Sequence, residues 1–126
     1  MKILLAFPDR DLLLSVGDYL RLWNLEVETA FDALQASSRL AEEAYDLVIA
    51  DEKIPRAPWK DLANLAREKN TPFLLLTGAV RAQIPPSPER EENVLRYPFF
   101  PRELLEKIRK ICPDSPVFET AGDENE

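Results

Sequence analysis

The sequence predicts an α/β domain built on a doubly wound, five-stranded parallel sheet in the order 2-1-3-4-5. Two observations carry that expectation. Short continuous apolar runs recur at Ile3–Phe7, Leu47–Ala50 and Phe73–Leu76. They are too short for helices and lack polar alternation, as expected of strands buried on both faces. Between them lie stretches whose apolar residues recur at steps of three and four, the period of an amphipathic helix. Alternating strands and helices make a parallel sheet, and right-handed crossovers fix the strand order.

Lys2 to Phe7 is the first strand. Asp9 or Asp11 can cap the helix that follows, where Leu12, Val16, Tyr19, Leu20 and Trp23 share a face. Gly17 lies inside that helix at a cost of roughly 1 kcal/mol against Ala, explicable if the helix must approach the sheet closely. Asn24 suits the helix end. Glu26 to Ala30 alternates polar and apolar residues, which fits an edge strand. Phe31 to Ala44 reads as a second helix with Leu34, Ser37, Leu40, Ala41 and Ala44 on its inner face.

The central strand, Leu47 to Ala50, ends directly in Asp51. Taken alone, an acid after an apolar run is most simply a turn-former. A loop with Pro55 and Pro58 follows, then a third helix from Trp59 to Lys69 burying Leu62, Leu65 and Ala66. Pro72 to Leu76 is the fourth strand, ending in Thr77-Gly78. The fourth helix is expected to be degraded, because Pro85, Pro86 and Pro88 fall where it is due and each would cost ~3 kcal/mol in a helix interior. The segment from Gln83 to Pro88 is accordingly expected to be non-helical and mobile. Asn93 to Arg96 is a short fifth strand, and Pro101 opens the last helix with Leu104, Leu105, Ile108, Ile111 and Cys112 as its stripe.

Composition bounds the function. The 126 residues make one domain, expected over residues 1–112, with an acidic and disordered tail over 113–126. That tail holds five acids and no base, leaving a net charge of only −2 on residues 1–112 out of −7 in total. Such a balance does not suit nucleic acid. The chain has no histidine, which excludes His-based triads, imidazole metal sites and histidine phosphotransfer. Cys112 is the sole cysteine, so no internal disulfide can form and a reducing compartment is expected. Ile3 to Phe7 is too short for a signal-peptide core or a membrane span, so a cytoplasmic location without membrane contact is expected. Glycines at 17, 78 and 122 form no nucleotide-binding loop.

The stretch Tyr45-Asp46-Leu47-Val48-Ile49-Ala50-Asp51, continued by Glu52-Lys53-Ile54-Pro55, resembles the phosphoacceptor strand of CheY-like receiver domains. These are the response-regulator modules of two-component signalling. The resemblance extends from Met1 to about Cys112 and includes Met1-Lys2-Ile3-Leu4-Leu5, Thr77 and Tyr97-Pro98-Phe99. It implies that Asp51 is the phosphoacceptor equivalent and Thr77 the hydroxyl residue beside a phosphoryl group. An ordinary strand-ending threonine is the other reading of Thr77. The family's acidic pair, which binds Mg²⁺ together with the phosphoacceptor, falls on Phe7 and Pro8. Asp9 is a possible residual acid, though a helix cap is its simpler reading. Tyr97 stands at the family's lysine position and Val94 at its aromatic switch position, while Arg96 points to the wrong face to replace the lysine. The resemblance also implies a cis Tyr97-Pro98 bond.

These departures predict an atypical receiver, or pseudo-receiver. It would be no enzyme and need no cofactor or metal, its Mg²⁺ binding being doubtful, and it would act as an interaction module for a signalling protein such as a sensor kinase or an output protein. The alternative is a working receiver phosphorylated on Asp51 by a sensor histidine kinase. A flavodoxin-like enzyme is disfavoured because no phosphate loop follows the first strand. Trp59 either packs over the third helix, the preferred reading, or faces the crevice. Of Phe99 and Phe100, one is expected in the core, with Phe100 at a helix cap.

Overall fold

A computed structural model describes residues 1–78 and 93–113. The expectations for the fourth helix, for Gln83–Pro88 and for the tail beyond Pro113 lie outside those residues. The strands are β1 (Lys2–Ala6), β2 (Glu26–Ala30), β3 (Leu47–Asp51), β4 (Phe73–Thr77) and β5 (Val94–Arg96). The described helices are α1 (Arg10–Arg21), α2 (Ala33–Glu42), α3 (Trp59–Glu68) and α4 (Pro101–Ile111). All neighbouring strands pair in parallel, in the order β2-β1-β3-β4-β5, as the sequence predicts.

Strand alternation divides the core between the two faces of the sheet. Ile3, Leu5, Leu47, Ile49, Leu74, Leu76 and Leu95 pack with Leu13, Val16 and Leu20 of α1 and Leu104, Leu105 and Ile108 of α4. Leu4, Ala6, Val48, Ala50, Leu75 and Val94 pack on the opposite side with buried residues of α2 and α3. Two buried faces explain why the central strands read as unbroken apolar runs.

Helix ends follow their capping chemistry. Asp9, not Asp11, caps α1, its Oδ1 accepting the Leu12 N–H at 3.1 Å. Asp32 caps α2 through the Gln35 N–H at 2.7 Å. Asn24 and Asn70, beyond α1 and α3, adopt φ of 62° and 57°, a conformation that asparagine accepts more readily than most residues.

Three helix faces differ from the sequence expectation. In α1 the buried position is Leu13, with Leu12 only partly covered. In α2 the buried residues are Ala33, Ala36 and Leu40, whereas Ala41 and Ala44 are exposed and Leu34 is 53% exposed. In α3 Ala63 is buried and Leu65 only partly so. Alanine weighs little in an apolar pattern, yet its small side chain is what lets a helix lie close on the sheet.

Candidate functional site

The parallel strands bring their carboxyl ends to one edge, so the segments leaving β1, β3, β4 and β5 meet there. Asp51 closes β3 and is 8% exposed. Alternation gives it the same side as Leu47 and Ile49. Its Oδ1 accepts the Lys53 N–H at 2.8 Å, a turn made by the side chain itself. Its Oδ2 accepts the Tyr97 hydroxyl at 2.5 Å. The turn-forming reading of Asp51 and its place in the crevice are therefore compatible.

Tyr97 follows β5 and is fixed from several sides. Its N–H donates to the Thr77 carbonyl at 2.9 Å. Its ring stacks on Phe99 at 5.2 Å between centroids, and the Tyr97-Pro98 bond is cis, as expected. Burial is the main cause that pushes its hydroxyl well above the usual tyrosine range. The hydrogen bond to Asp51 adds to this, followed by the charges of Asp51, Asp9 and Glu52. At neutral pH the phenol is a donor with no positive charge.

Phe7, one residue past β1, is fully buried among the core residues facing α1 and α4. Its N–H donates to Ala30 at 3.1 Å. The first strand thus ends one residue earlier than expected, and Phe7 serves the core. Pro8 is exposed and carries no side-chain oxygen. Asp9 is exposed, its carboxylate engaged in capping α1, while its charge still reaches Tyr97. Thr77 closes β4 and is fully buried. Val94 is also buried, facing α2 and α3. Among the described residues no three His, Cys, Asp or Glu side chains gather closely enough to hold a metal ion.

Two features of the edge were not legible in the sequence. Glu52 Oε1 accepts the Gly78 N–H at 3.1 Å, which together with the Glu52 N–H to Leu76 carbonyl bond ties the exits of β3 and β4. Arg10 lies 4.5 Å over the Phe31 ring, joining the start of α1 to the end of β2. No local pattern announces either contact, since each joins residues distant in sequence. Trp59 turns from the crevice to stack on Phe73, the first residue of β4. Phe99 packs against the core, and Phe100 is 75% exposed at the N-cap of α4.

A doubly wound parallel sheet with a buried carboxylate at the end of its central strand defines a flavodoxin-like α/β domain. No family model matches the chain. It is 33% identical over 113 residues to the response regulator protein FleR of Pseudomonas aeruginosa, covering 86% of this chain and 24% of the relative. The chain thus spans about a quarter of that relative's length. The signal receiver domain of an HD domain-containing protein from Pseudomonas fluorescens superposes with a TM-score of 0.77 at 27% identity, covering 89% of this chain and 94% of the other. The chemotaxis response regulator CheY4 of Vibrio cholerae gives 0.73 at 25% identity, covering 87% and 97% respectively. The chain has the fold of CheY-like receiver domains and is similar to them over most of its length.

Proposed function

We propose that this receiver domain works in two-component signalling as an atypical, pseudo-receiver interaction module, in which Asp51 is held within the protein rather than set up for Mg²⁺-dependent phosphoryl transfer. The observation that carries this reading is the Tyr97–Asp51 hydrogen bond of 2.5 Å. It occupies one carboxylate oxygen with an internal donor, while the Lys53 N–H holds the other. The residues around Asp51 also do not fit magnesium, which requires an octahedron of oxygen ligands. Phe7 is packed into the core, Pro8 offers no oxygen and Asp9 caps α1. Charge that builds on a transferring phosphoryl group needs a cation to offset it, and Tyr97 supplies none.

On this reading the domain is not an enzyme. It binds a signalling protein, a sensor kinase or an output protein, in the cytoplasm. Among the described residues no helix is long and apolar enough to cross a membrane. A second reading, a phosphoacceptor charged on Asp51 by a sensor histidine kinase, draws support from Asp51 and Thr77 both lying at strand exits.

One titration separates the two readings. Backbone amide resonances of Lys53 and Gly78 are followed while Mg²⁺ and then beryllofluoride, a phosphoryl mimic, are added, with Asp51→Asn as control. The pseudo-receiver reading expects no change beyond the control up to millimolar metal. A saturable, Asp51-dependent shift would overturn it in favour of phosphorylation.

A further inference from the structure

Away from the Asp51 edge, α1 and α4 leave a groove between them of about 420 Å³, lined by Tyr19, Trp23, Arg102, Leu105, Glu106 and Arg109. The four α4 residues are spaced three, one and three apart, which places them on one helical face. Tyr19 and Trp23 are half-buried and Leu105 is buried. The floor is thus aromatic and aliphatic, and the rim carries two arginines against one glutamate.

The chemistry complementary to this groove is written directly after α4. Residues 114–126 contain Val117-Phe118 between Asp114 and Glu119, followed by Asp123, Glu124 and Glu126, with no Lys or Arg. We propose that the groove receives residues 114–126 of the same chain, with Val117-Phe118 against Trp23, Tyr19 and Leu105 and the acids turned towards Arg102 and Arg109. The inference is independent of the chemistry at Asp51.

Chain geometry permits it. From Arg102 to the end of α4 is about 14 Å at the helical rise. Thirteen residues can extend over roughly 43 Å, so the segment can turn back along the helix with slack. Tethering also raises its local concentration to the order of millimolar, so contacts of modest affinity suffice to fill the groove. The charge pairing lies at the surface and weakens with salt, whereas burial of Phe118 does not.

The two tryptophans make the test internally controlled. Trp23 lines the groove, while Trp59 stacks on Phe73 at the opposite face of the sheet. In the full chain, isotope-labelled and carrying Cys112→Ser, a nitroxide is attached through Ala121→Cys. The Trp23 indole resonance is expected to lose intensity while that of Trp59 keeps it. Phe118→Ala, or Arg102→Glu at an exposed position, should restore the Trp23 signal without altering the fold. Equal broadening of both indoles, or none at either, would overturn the proposal. Mixing spin-labelled chains with isotope-labelled chains that lack the nitroxide tests a second copy as the source. Loss of Trp23 intensity in that mixture would also overturn docking within one chain.

Discussion

The Tyr97 hydroxyl donates to Asp51 Oδ2 across 2.5 Å, so the residue leaving the last strand closes over the carboxylate that ends the central one. Both groups are largely removed from water, and each satisfies the other. Tyr97→Phe keeps the ring and its stacking on Phe99 but removes the donor. A buried acceptor that loses its partner costs about 1–3 kcal/mol. Urea unfolding of Tyr97→Phe should show a loss in that range. In a double-mutant cycle with Asp51→Ala, the two changes should couple by at least about 0.5 kcal/mol. Additive single-mutant effects would mean that the bond does not stabilise the fold.

The same bond sets the behaviour at high pH. Burial first, then the bond to Asp51, raises the Tyr97 hydroxyl above its usual value of 10.0. Tyr45 is raised in the same direction, by burial first and then by its hydrogen bond to Glu28. Above pH 10 the unfolded chain releases these protons while the folded chain keeps them. The unfolded state then binds fewer protons, so stability falls as pH rises. The stabilisation is complete below the unfolded value and lost through the folded ones. Cys112, pushed up to about 11 by burial from 9.0, starts the decline slightly earlier. Unfolding free energies measured from neutral to strongly alkaline pH should fall more gently in Tyr97→Phe than in the parent chain. Identical slopes would show that Tyr97 does not contribute.

Gly17 is not required by space. A methyl at its α-carbon would lie 3.5 Å from Arg21 Nη1, 3.8 Å from Leu5 Cδ1 and 3.8 Å from Val27 Cγ1, all ordinary contacts. The close approach that the sequence suggests therefore leaves room for alanine. Gly17→Ala should raise stability by about 0.5–1 kcal/mol, the difference between the two residues inside a helix. A drop in the midpoint of thermal unfolding would mean that α1 cannot shift even slightly against β2.

Sheet order, strand identity and the residues at the strand exits were legible because they rest on strong signals. Unbroken apolar runs mark buried strands, and crossover handedness leaves few topologies. The inner face of α2 was not legible. Leu34 outweighs Ala33 and Ala36 in any apolar pattern, but the sheet accepts the smaller side chains and leaves Leu34 outside. At the crevice, the resemblance put Asp51 and Tyr97 at the phosphoacceptor and lysine positions, and the structure brings the two into contact. The sequence could not place Glu52 against Gly78, a contact made only when two strand exits lie side by side. The first strand shows the same limit. Phe7 reads as an acid's replacement, yet its burial is what distinguishes loss of a ligand from gain of a core residue.

That distinction makes the two replaced positions unequal. Phe7 is 0% exposed and belongs to the cluster that joins the sheet to α1 and α4. Phe7→Asp removes an aromatic side chain from the core, at a cost of about 3–5 kcal/mol for truncation alone. It also forces a carboxylate into apolar surroundings, which adds several kcal/mol or drives the group to stay protonated. Against a typical domain stability of roughly 5–15 kcal/mol, little or none would remain. Pro8 is exposed, so Pro8→Asp should cost no more than about 1 kcal/mol, the entropic effect of freeing the unfolded chain at a proline. Circular dichroism melts of the two variants provide the comparison. The expected result is a cooperative, near-parental melt for Pro8→Asp and loss of the transition, or a collapse of its midpoint, for Phe7→Asp. If Phe7→Asp melted like the parent, Phe7 would not be the core residue that its burial indicates, and an acid at that position would be compatible with the fold.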